Sequence, residues 1–176
     1  MIAKLVTHGP SRAAAIEAQS RALDAFYIDG IRHNVPFVSA VMQHPRWKEG
    51  RLSTGFIAEE FPSGFAPRAP EGELARRLAA VAAAIDLVSG ERKRQISGQM
   101  NGRPVVRERR RSVWLDRNET ALDVQRNGEI EVRFIEANSE GGAPHKILSD
   151  WKPGQPMWLG LVGDQPVAVQ VRPVPN

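Results

Sequence analysis

The 176-residue sequence predicts an α+β fold, in which a small, mainly helical region precedes a long helix wrapped by about six antiparallel strands. Two observations predict it. Apolar residues recur at helical spacing within residues 1–65 and again over about 71–88. After Gly98 they recur at every second position, in runs that turn residues separate. The change of period marks the change from helix to strand.

The region 1–65 is predicted to contain a short strand at 2–7 followed by three short helices. Each predicted helix follows a residue whose side chain can accept a hydrogen bond from the first helical turn. These N-caps are Ser11, Asn34 and Ser53.

A proline-rich segment separates the two regions. Between positions 61 and 70 the sequence contains three prolines and a glycine. Residues before proline are disfavoured in the helical conformation, so this segment is predicted to end the first domain. We place one domain at 1–65, a linker at 66–70 and a second domain at 71–176.

The second region opens with a predicted helix at about 71–88. Its large apolar residues form one stripe, at steps of four and three. The stripe consists of Leu74, Leu78, Val81, Ile85 and Val88. Alanines occupy most flanking positions, where a surface helix normally carries charge. We therefore expect neighbours to approach this slim helix closely on several sides, as a curved sheet would.

The turn at Asn127-Gly128 allows a strand register to be predicted. A two-residue turn would place Val124 opposite Glu131, so the apolar faces of the two strands would disagree. A loop that also includes Arg126, with the glycine left-handed, places Val124 opposite Ile130 and matches the faces. We predict the second arrangement.

The residue types leave little chemistry to this chain alone. It contains no cysteine, and none of its four histidines stands at metal-ligand spacing from another. Glu59 and Glu60 are adjacent on a predicted helix, so their side chains are expected to diverge. Nucleophile-elbow and phosphate-loop motifs are absent from the sequence. We predict no catalytic residue and no metal site, and favour a docking module over a self-sufficient enzyme.

The charge distribution leaves two interpretations open. The formal charge is +4, with one dense basic run at 107–111. Because acidic residues are interspersed through most of the chain, we interpret this run as a solvated strand face or protein interface, without a nucleic-acid partner. The alternative is a basic β-barrel that binds nucleic acid, with Trp114, Trp151 and Trp158 as a stacking platform. Since no apolar run suits a membrane span or signal peptide, we expect a cytoplasmic protein without a membrane partner.

Several stretches of the first region, matching in order with almost no gap, carry a resemblance to a known family. They are 1–9, 27–34, 47–50, 53–57 and 61–65. They resemble the close of the biotin carboxylase domain in biotin-dependent acyl-CoA carboxylase α subunits, where the first stretch reads Asp-Pro-Met-Ile-x-Lys-Leu. The His33-Asn34 pair is closer to the propionyl-CoA type than to the bacterial acetyl-CoA type. The resemblance implies that 1–65 is the C-terminal part of that domain.

The second region resembles the docking domain of the same α subunits. The segment 149–154 and the Gly163-Asp164 turn carry this resemblance, with order and spacing retained. The family fold is a long helix surrounded by an antiparallel β-barrel. Since the sequence stops at Asn176, before the last strands of that barrel, we expect an incomplete barrel and a truncated carboxyltransferase-docking domain at 71–176.

The resemblance implies a reaction of the whole enzyme to which this chain contributes no catalytic residue. In the whole enzyme, ATP and bicarbonate carboxylate biotin, and a biotin carrier delivers the carboxyl group to an acyl-CoA on the carboxyltransferase β subunit. The implied cofactors are biotin and ATP with Mg²⁺. The implied partners are the β subunit and the ATP-grasp and biotin-carrier regions of the same α subunit. The sequence lacks both regions, so we expect the chain alone to bind no cofactor and to be inactive.

The resemblance also implies two sites. Thr54 and Gly55 fall where the family approaches the adenine end of the nucleotide. The segment at about 95–107 corresponds to the loop that hooks onto the β subunit. Its predicted interface consists of Ile96, Met100, Pro104 and Val105 in apolar pockets, with Arg103 and Arg107 at the rim. The alternative for this segment is a solvent-exposed loop without a partner.

Overall fold

The chain divides into two compact units, Met1–Arg68 and Ala69–Asn176. The boundary falls inside the proline-rich segment. The computed structural model describes residues 3–67, 69–96, 108–135 and 142–172, except for the side chains of 93–96. Within those ranges, no helix combines the length and the apolar character that crossing a membrane requires.

The first unit is helical in its described residues. Its helices are α1 (Arg12–Asp24), α2 (Val35–Gln43), α3 (Pro45–Glu49) and α4 (Phe56–Glu60). The sequence analysis missed α3, which begins with a proline directly after His44. Proline suits the first helical position because the N–H that it lacks would have no partner within the helix.

Two of the three predicted N-cap residues directly precede a helix, as predicted. The Oγ of Ser11 accepts a hydrogen bond from the first turn of α1 at 3.2 Å. Asn34 precedes α2, although its side chain makes no capping hydrogen bond. The third prediction is wrong, because Gly55 directly precedes α4. Ser53 instead donates a hydrogen bond to Oε1 of Glu59 at 3.1 Å.

A small core of aliphatic and aromatic side chains holds the first unit together. Its buried members are Leu23, Val41, Met42 and Phe56. The ring of Phe37 packs edge-on against those of Phe61 and Phe65, with centroids 5.3 and 5.6 Å apart. Leu5 packs against this core, but residues 3–7 form no strand. The described residues of this unit offer them no partner strand with which to form a hydrogen-bonded ladder.

The second unit consists of one long helix and one sheet in its described residues. Its elements are α5 (Gly72–Ile96), β1 (Arg110–Leu115), β2 (Asn118–Asn127), β3 (Glu129–Phe134), β4 (His145–Leu148), β5 (Met157–Val162) and β6 (Gln165–Gln170). The strands pair antiparallel in chain order, and α5 contacts β1 to β5. The sheet therefore forms a half-barrel around the helix, which confirms the predicted α+β fold.

The sheet covers the alanine face of α5, as its slim flanks predicted, and Val81 is the residue of the predicted stripe that lies in the buried core. The buried residues of the helix are Ala79, Ala80, Val81, Ala83, Ala84 and Leu87. By contrast, Leu74 is 56% exposed, and Ile85 and Val88 lie partly buried at the margin of the core. Because alanine has no side chain beyond Cβ, strands can approach the helix most closely on this face.

The predicted register of β2 and β3 is wrong by two residues. Val124 lies opposite Val132, not opposite Ile130. The left-handed conformation predicted for Gly128 is confirmed, with φ 82°. A shift of two residues keeps every side chain on its own face, so the alternation of apolar residues does not distinguish the two registers.

Candidate functional site

Thr54 and Gly55, the predicted nucleotide edge, form the turn between α3 and α4. Thr54 is exposed and Gly55 is half-buried. The carbonyl of Gly55 accepts a hydrogen bond from the N–H of Glu59 at 2.9 Å. A Cβ added at Gly55 would lie 2.7 Å from Oε1 of Glu59. The missing side chain therefore leaves room for the Glu59 carboxylate.

Arg46 joins this turn to α4. Its Nη1 donates to Oε2 of Glu59 at 2.7 Å and to Oε1 of Glu60 at 2.5 Å. Its Nε donates to the carbonyl of Arg51 at 3.3 Å, just before the turn. Ser53 adds its hydrogen bond to Glu59. We call Arg46, Arg51, Ser53, Glu59 and Glu60 the Arg46 clamp.

The Arg46 clamp overturns the expectation that Glu59 and Glu60 diverge. Both carboxylates reach the same guanidinium nitrogen, because a cation supplied by another helix attracts both flexible side chains. The side chains of Arg46 and Glu60 are only 22% and 26% exposed. The two carboxylates therefore bind the guanidinium of Arg46, a cation from the same unit.

His44 also contacts the Arg46 clamp. Its Nδ1 accepts a hydrogen bond from the N–H of Arg46 at 3.3 Å, and its Nε2 lies 3.1 Å from Oε2 of Glu60. Because Nδ1 accepts this hydrogen bond, Nε2 is the ring nitrogen that can donate to Glu60. The His44 ring also stands edge-on to Phe56, with centroids 5.2 Å apart. Both imidazole nitrogens therefore have a polar partner in the first unit.

The contacts of the Arg46 clamp shift the ionisation of its members. Hydrogen bonds from Arg46 hold the pKa of Glu59 and the pKa of Glu60 below the ordinary value of 4.5. Ser53 lowers the pKa of Glu59 further. Hydrogen bonds to Glu60 and Glu59 in turn raise the pKa of Arg46. Arg46, Glu59 and Glu60 are therefore all charged at neutral pH.

Acid should weaken the first unit through the Arg46 clamp. Because both carboxyl pKa values are lower in the folded chain, the stabilisation is present above the ordinary value of 4.5 and is lost as the pH falls through the folded values. We expect the Glu59→Gln/Glu60→Gln variant to melt at a lower temperature than wild type at neutral pH. The difference should shrink as the pH falls below 4.5 and through the lower folded values. Thermal melts across this range test the prediction, which a pH-independent difference would contradict.

The predicted docking segment lies largely outside the described residues. Ile96 is the last residue of α5, but its side chain is not described. The other predicted interface residues that lie outside the described ranges are Met100, Arg103, Pro104, Val105 and Arg107. The helix runs past its predicted end at Val88. Near its end, Arg92 donates to the carbonyl of Pro153 at 2.7 Å, which ties that end to the loop between β4 and β5.

The described arginines of the basic run are largely engaged with acidic partners. Arg109 makes two hydrogen bonds to the carboxylate of Asp123, at 3.1 and 3.0 Å. Arg111 donates to Asp86 on α5 at 2.6 Å. These two guanidinium groups are therefore already paired with carboxylates, whereas binding to phosphate would require them to be free.

The tryptophans of the second unit do not form a common stacking surface. Trp151 and Trp158 are 8% and 2% exposed and belong to the core, whereas Trp114 on β1 is 62% exposed. A stacking platform requires several exposed rings. The alternative of a nucleic-acid-binding barrel has no support.

The described parts of the chain bring hydrogen-bonding and charged groups together at the Arg46 clamp. Within them, no three His, Asp or Glu side chains converge as metal ligands. The Arg46 clamp has hydrogen-bonding groups at fixed distances beside an exposed turn. Such an arrangement can hold a loop in a binding conformation.

Comparison with known proteins identifies both units. Residues 78–176, more than half of the chain, match the family model of the propionyl-coenzyme A carboxylase BT domain. The chain belongs to this family. Residues 1–59 match the biotin carboxylase C-terminal domain, so this member of the BT-domain family carries a second family match in its first unit. These matches confirm the resemblance seen in the sequence.

Relatives of this BT-domain chain are carboxylase α chains. It is 41% identical to the propionyl-CoA carboxylase alpha chain of Ruegeria pomeroyi, over 97% of its own length. It is 28% identical to the mitochondrial propionyl-CoA carboxylase alpha chain of Mus musculus, over 89% of its length. A shorter match, 32% identical over 54% of the chain, is to the mitochondrial methylcrotonoyl-CoA carboxylase subunit alpha of Dictyostelium discoideum. The chain spans 24%, 21% and 14% of the length of these relatives.

Arg46 and His44 were not predicted from the sequence as members of a site. The two carboxylates that Arg46 contacts are 13 and 14 residues away in the sequence, beyond the reach of helical spacing rules. The available signal was the His-Pro-Arg order at 44–46, since proline after a possible capping residue is typical of a helix start. A helix predicted there would have placed Arg46 near the turn that contains Thr54.

Proposed function

We propose that the chain is the part of a propionyl-CoA-type carboxylase α subunit that links biotin carboxylation to the carboxyltransferase β subunit. The observation that carries this proposal is the order of two family matches on two compact units, biotin carboxylase first and BT domain second. The proposed domains are 1–65 and 71–176, with a linker at 66–70. The whole enzyme would use biotin and ATP with Mg²⁺. A cytoplasmic location stays a prediction from the sequence.

We assign β-subunit docking to the segment that follows α5. Its proposed contacts are Ile96, Met100, Arg103, Pro104, Val105 and Arg107. Methionine and arginine are enriched in protein interfaces, where a few anchors carry most of the binding energy. The half-barrel supports this role, since it buries one face of α5 from Ala79 to Leu87. A helix fixed in this way carries the segment on a rigid base.

We assign the adenine edge of the nucleotide site to Thr54 and Gly55. Thr54 is exposed, so its side chain is accessible to a ligand. The Arg46 clamp flanks the turn on both sides, through the carbonyl of Arg51 and the carboxylate of Glu59. A turn held in one conformation binds a ligand without first paying the entropy of ordering.

An apolar groove on the first unit supports contact with the ATP-grasp region of the same α subunit. The groove has a volume of about 640 Å³. Its lining includes Leu5, Leu23, Phe26, Ile28, Ile31 and Val38. Ile31 is 47% exposed, and a contiguous apolar surface of this kind favours a covering partner.

A chimera tests the proposal. Residues 1–176 would replace the matching segment of the Ruegeria pomeroyi propionyl-CoA carboxylase alpha chain. We expect the chimera to carboxylate biotin with ATP and bicarbonate, and to carboxylate propionyl-CoA once the β subunit of that enzyme is added, at rates within about tenfold of the parent. A matched control carries only 1–65 of this chain and keeps the parent's own second domain. A folded chimera that neither carboxylates biotin nor binds the β subunit would contradict the proposal.

A further inference from the structure

The Arg46 clamp fixes both ends of the Thr54-Gly55 turn from a single side chain. On the near side, Nε of Arg46 holds the carbonyl of Arg51 at 3.3 Å. On the far side, Nη1 holds Glu59 at 2.7 Å and Glu60 at 2.5 Å, both on α4. The guanidinium carbon also lies 5.4 Å from the centroid of the Phe56 ring, in the first turn of α4. One side chain on α3 therefore contacts both the segment before the turn and the helix after it.

Resting on the proposed function, we propose that Arg46 is a positioning residue for the ATP site. It acts through Glu59, Glu60 and the Arg51 carbonyl to hold the Thr54-Gly55 turn in the conformation that receives the nucleotide. Since this edge lies away from the reacting phosphates, the contribution is to binding and not to the chemical step.

The hydrogen-bond geometry of the Arg46 clamp requires arginine in particular. A planar guanidinium presents donors in several fixed directions, so it can serve two carboxylates and a carbonyl at once. A lysine ammonium is a compact point charge at the end of a flexible stem, and would not hold all three acceptors in the same geometry. The same arrangement favours glycine at position 55, because a Cβ there would collide with the Glu59 carboxylate that Arg46 binds.

The chimeric full-length α chain allows this role to be measured. We expect Arg46→Met to raise the KM for ATP about tenfold while kcat stays within about twofold, the pattern for loss of uniform binding. Glu59→Gln/Glu60→Gln keeps the shape of both side chains and should raise the KM similarly. The triple variant should be no worse than either, because all three changes break one network. The KM for bicarbonate should not change.

A matched control distinguishes the effect of breaking the Arg46 clamp from the effect of removing an arginine elsewhere in the first unit. Arg21 on α1 forms an exposed ion pair with Glu17 at 2.7 Å, and Arg21→Met should leave the KM for ATP unchanged. An unchanged KM for ATP in both Arg46→Met and the double glutamine variant would overturn the inference. A fall in kcat alone would also overturn it, because such a fall indicates only that fewer molecules are folded. An active wild-type chimera with either result leaves the proposed function standing. An inactive wild-type chimera contradicts the proposed function and this inference with it.

Discussion

Replacing Met100 and Val105 by aspartate in the chimeric α chain should weaken its binding to the carboxyltransferase β subunit at least about a hundredfold. Both residues belong to the proposed docking segment after α5. Truncating a buried interface anchor typically costs about 2 kcal/mol or more, and about 1.4 kcal/mol corresponds to a tenfold change in affinity. A carboxylate buried in an apolar pocket adds a desolvation cost. Titration of the immobilised β subunit measures the dissociation constant.

Leu74 provides the control for this experiment. It is 56% exposed on α5, so Leu74→Asp makes the same change from apolar to acidic without burying the charge. We expect its dissociation constant to stay within about twofold of wild type, since surface substitutions cost little. If the Met100→Asp/Val105→Asp variant binds as tightly as wild type, the segment is the solvent-exposed loop of the alternative interpretation. If Leu74→Asp weakens binding equally, the effect reflects added negative charge alone.

The fold of the second unit was predictable because two periods dominate its sequence. Helical spacing before Val88 and alternation after Gly98 are each sufficient to assign the element type. Helical spacing alone does not define the buried face of α5, since it points to the stripe that contains Leu74 and Leu78. The alanines on the flanks of that stripe predicted the close approach of a sheet, and the half-barrel buries four of them together with Val81 and Leu87. Small side chains therefore indicate the approached side of this helix better than hydropathy alone.

The register of β2 and β3 illustrates a second limit. Alternation of apolar residues decides which face of a strand is buried, but it is unchanged when one strand slides by two positions. The choice between pairing Val124 with Val132 and with Ile130 therefore depends on the turn and on packing against the other strands. Sequence patterns within the two strands alone do not contain that information.

The candidate site shows what family resemblance and spacing rules each contribute. The resemblance predicted a role for Thr54 and Gly55, which spacing alone would not single out, and that role stays a prediction. Neither approach located Arg46, because its partners come from another helix and meet it only after the chain has folded. The docking residues Met100 and Val105 were predicted from the resemblance and lie outside the described residues, so they stay predictions. Contacts between elements distant in sequence are the part of the site that needs coordinates.

Enlarging the alanine face of α5 should destabilise the second unit strongly. Ala80 and Ala84 are 0% and 1% exposed and lie one helical turn apart in the core. Forcing extra methylene groups into a packed core costs about 1–3 kcal/mol at each position, so Ala80→Leu/Ala84→Leu should lower the free energy of unfolding by about 2–6 kcal/mol. Urea unfolding followed by tryptophan fluorescence in a Trp47→Phe background reports on this unit, because the other three tryptophans, Trp114, Trp151 and Trp158, all lie in it.

Ala75→Leu on the same helix is the matched control, since Ala75 is only half-buried and lies outside the buried core. Leucine is nearly as good a helix former as alanine, so this change should alter the free energy of unfolding by no more than about 0.5 kcal/mol. The contrast between the two variants isolates close approach of the strands from helix propensity. If the double leucine variant unfolds at the same urea concentration as wild type, the sheet does not close on this face of α5. The docking segment would then lack the rigid base from which it is proposed to reach the β subunit.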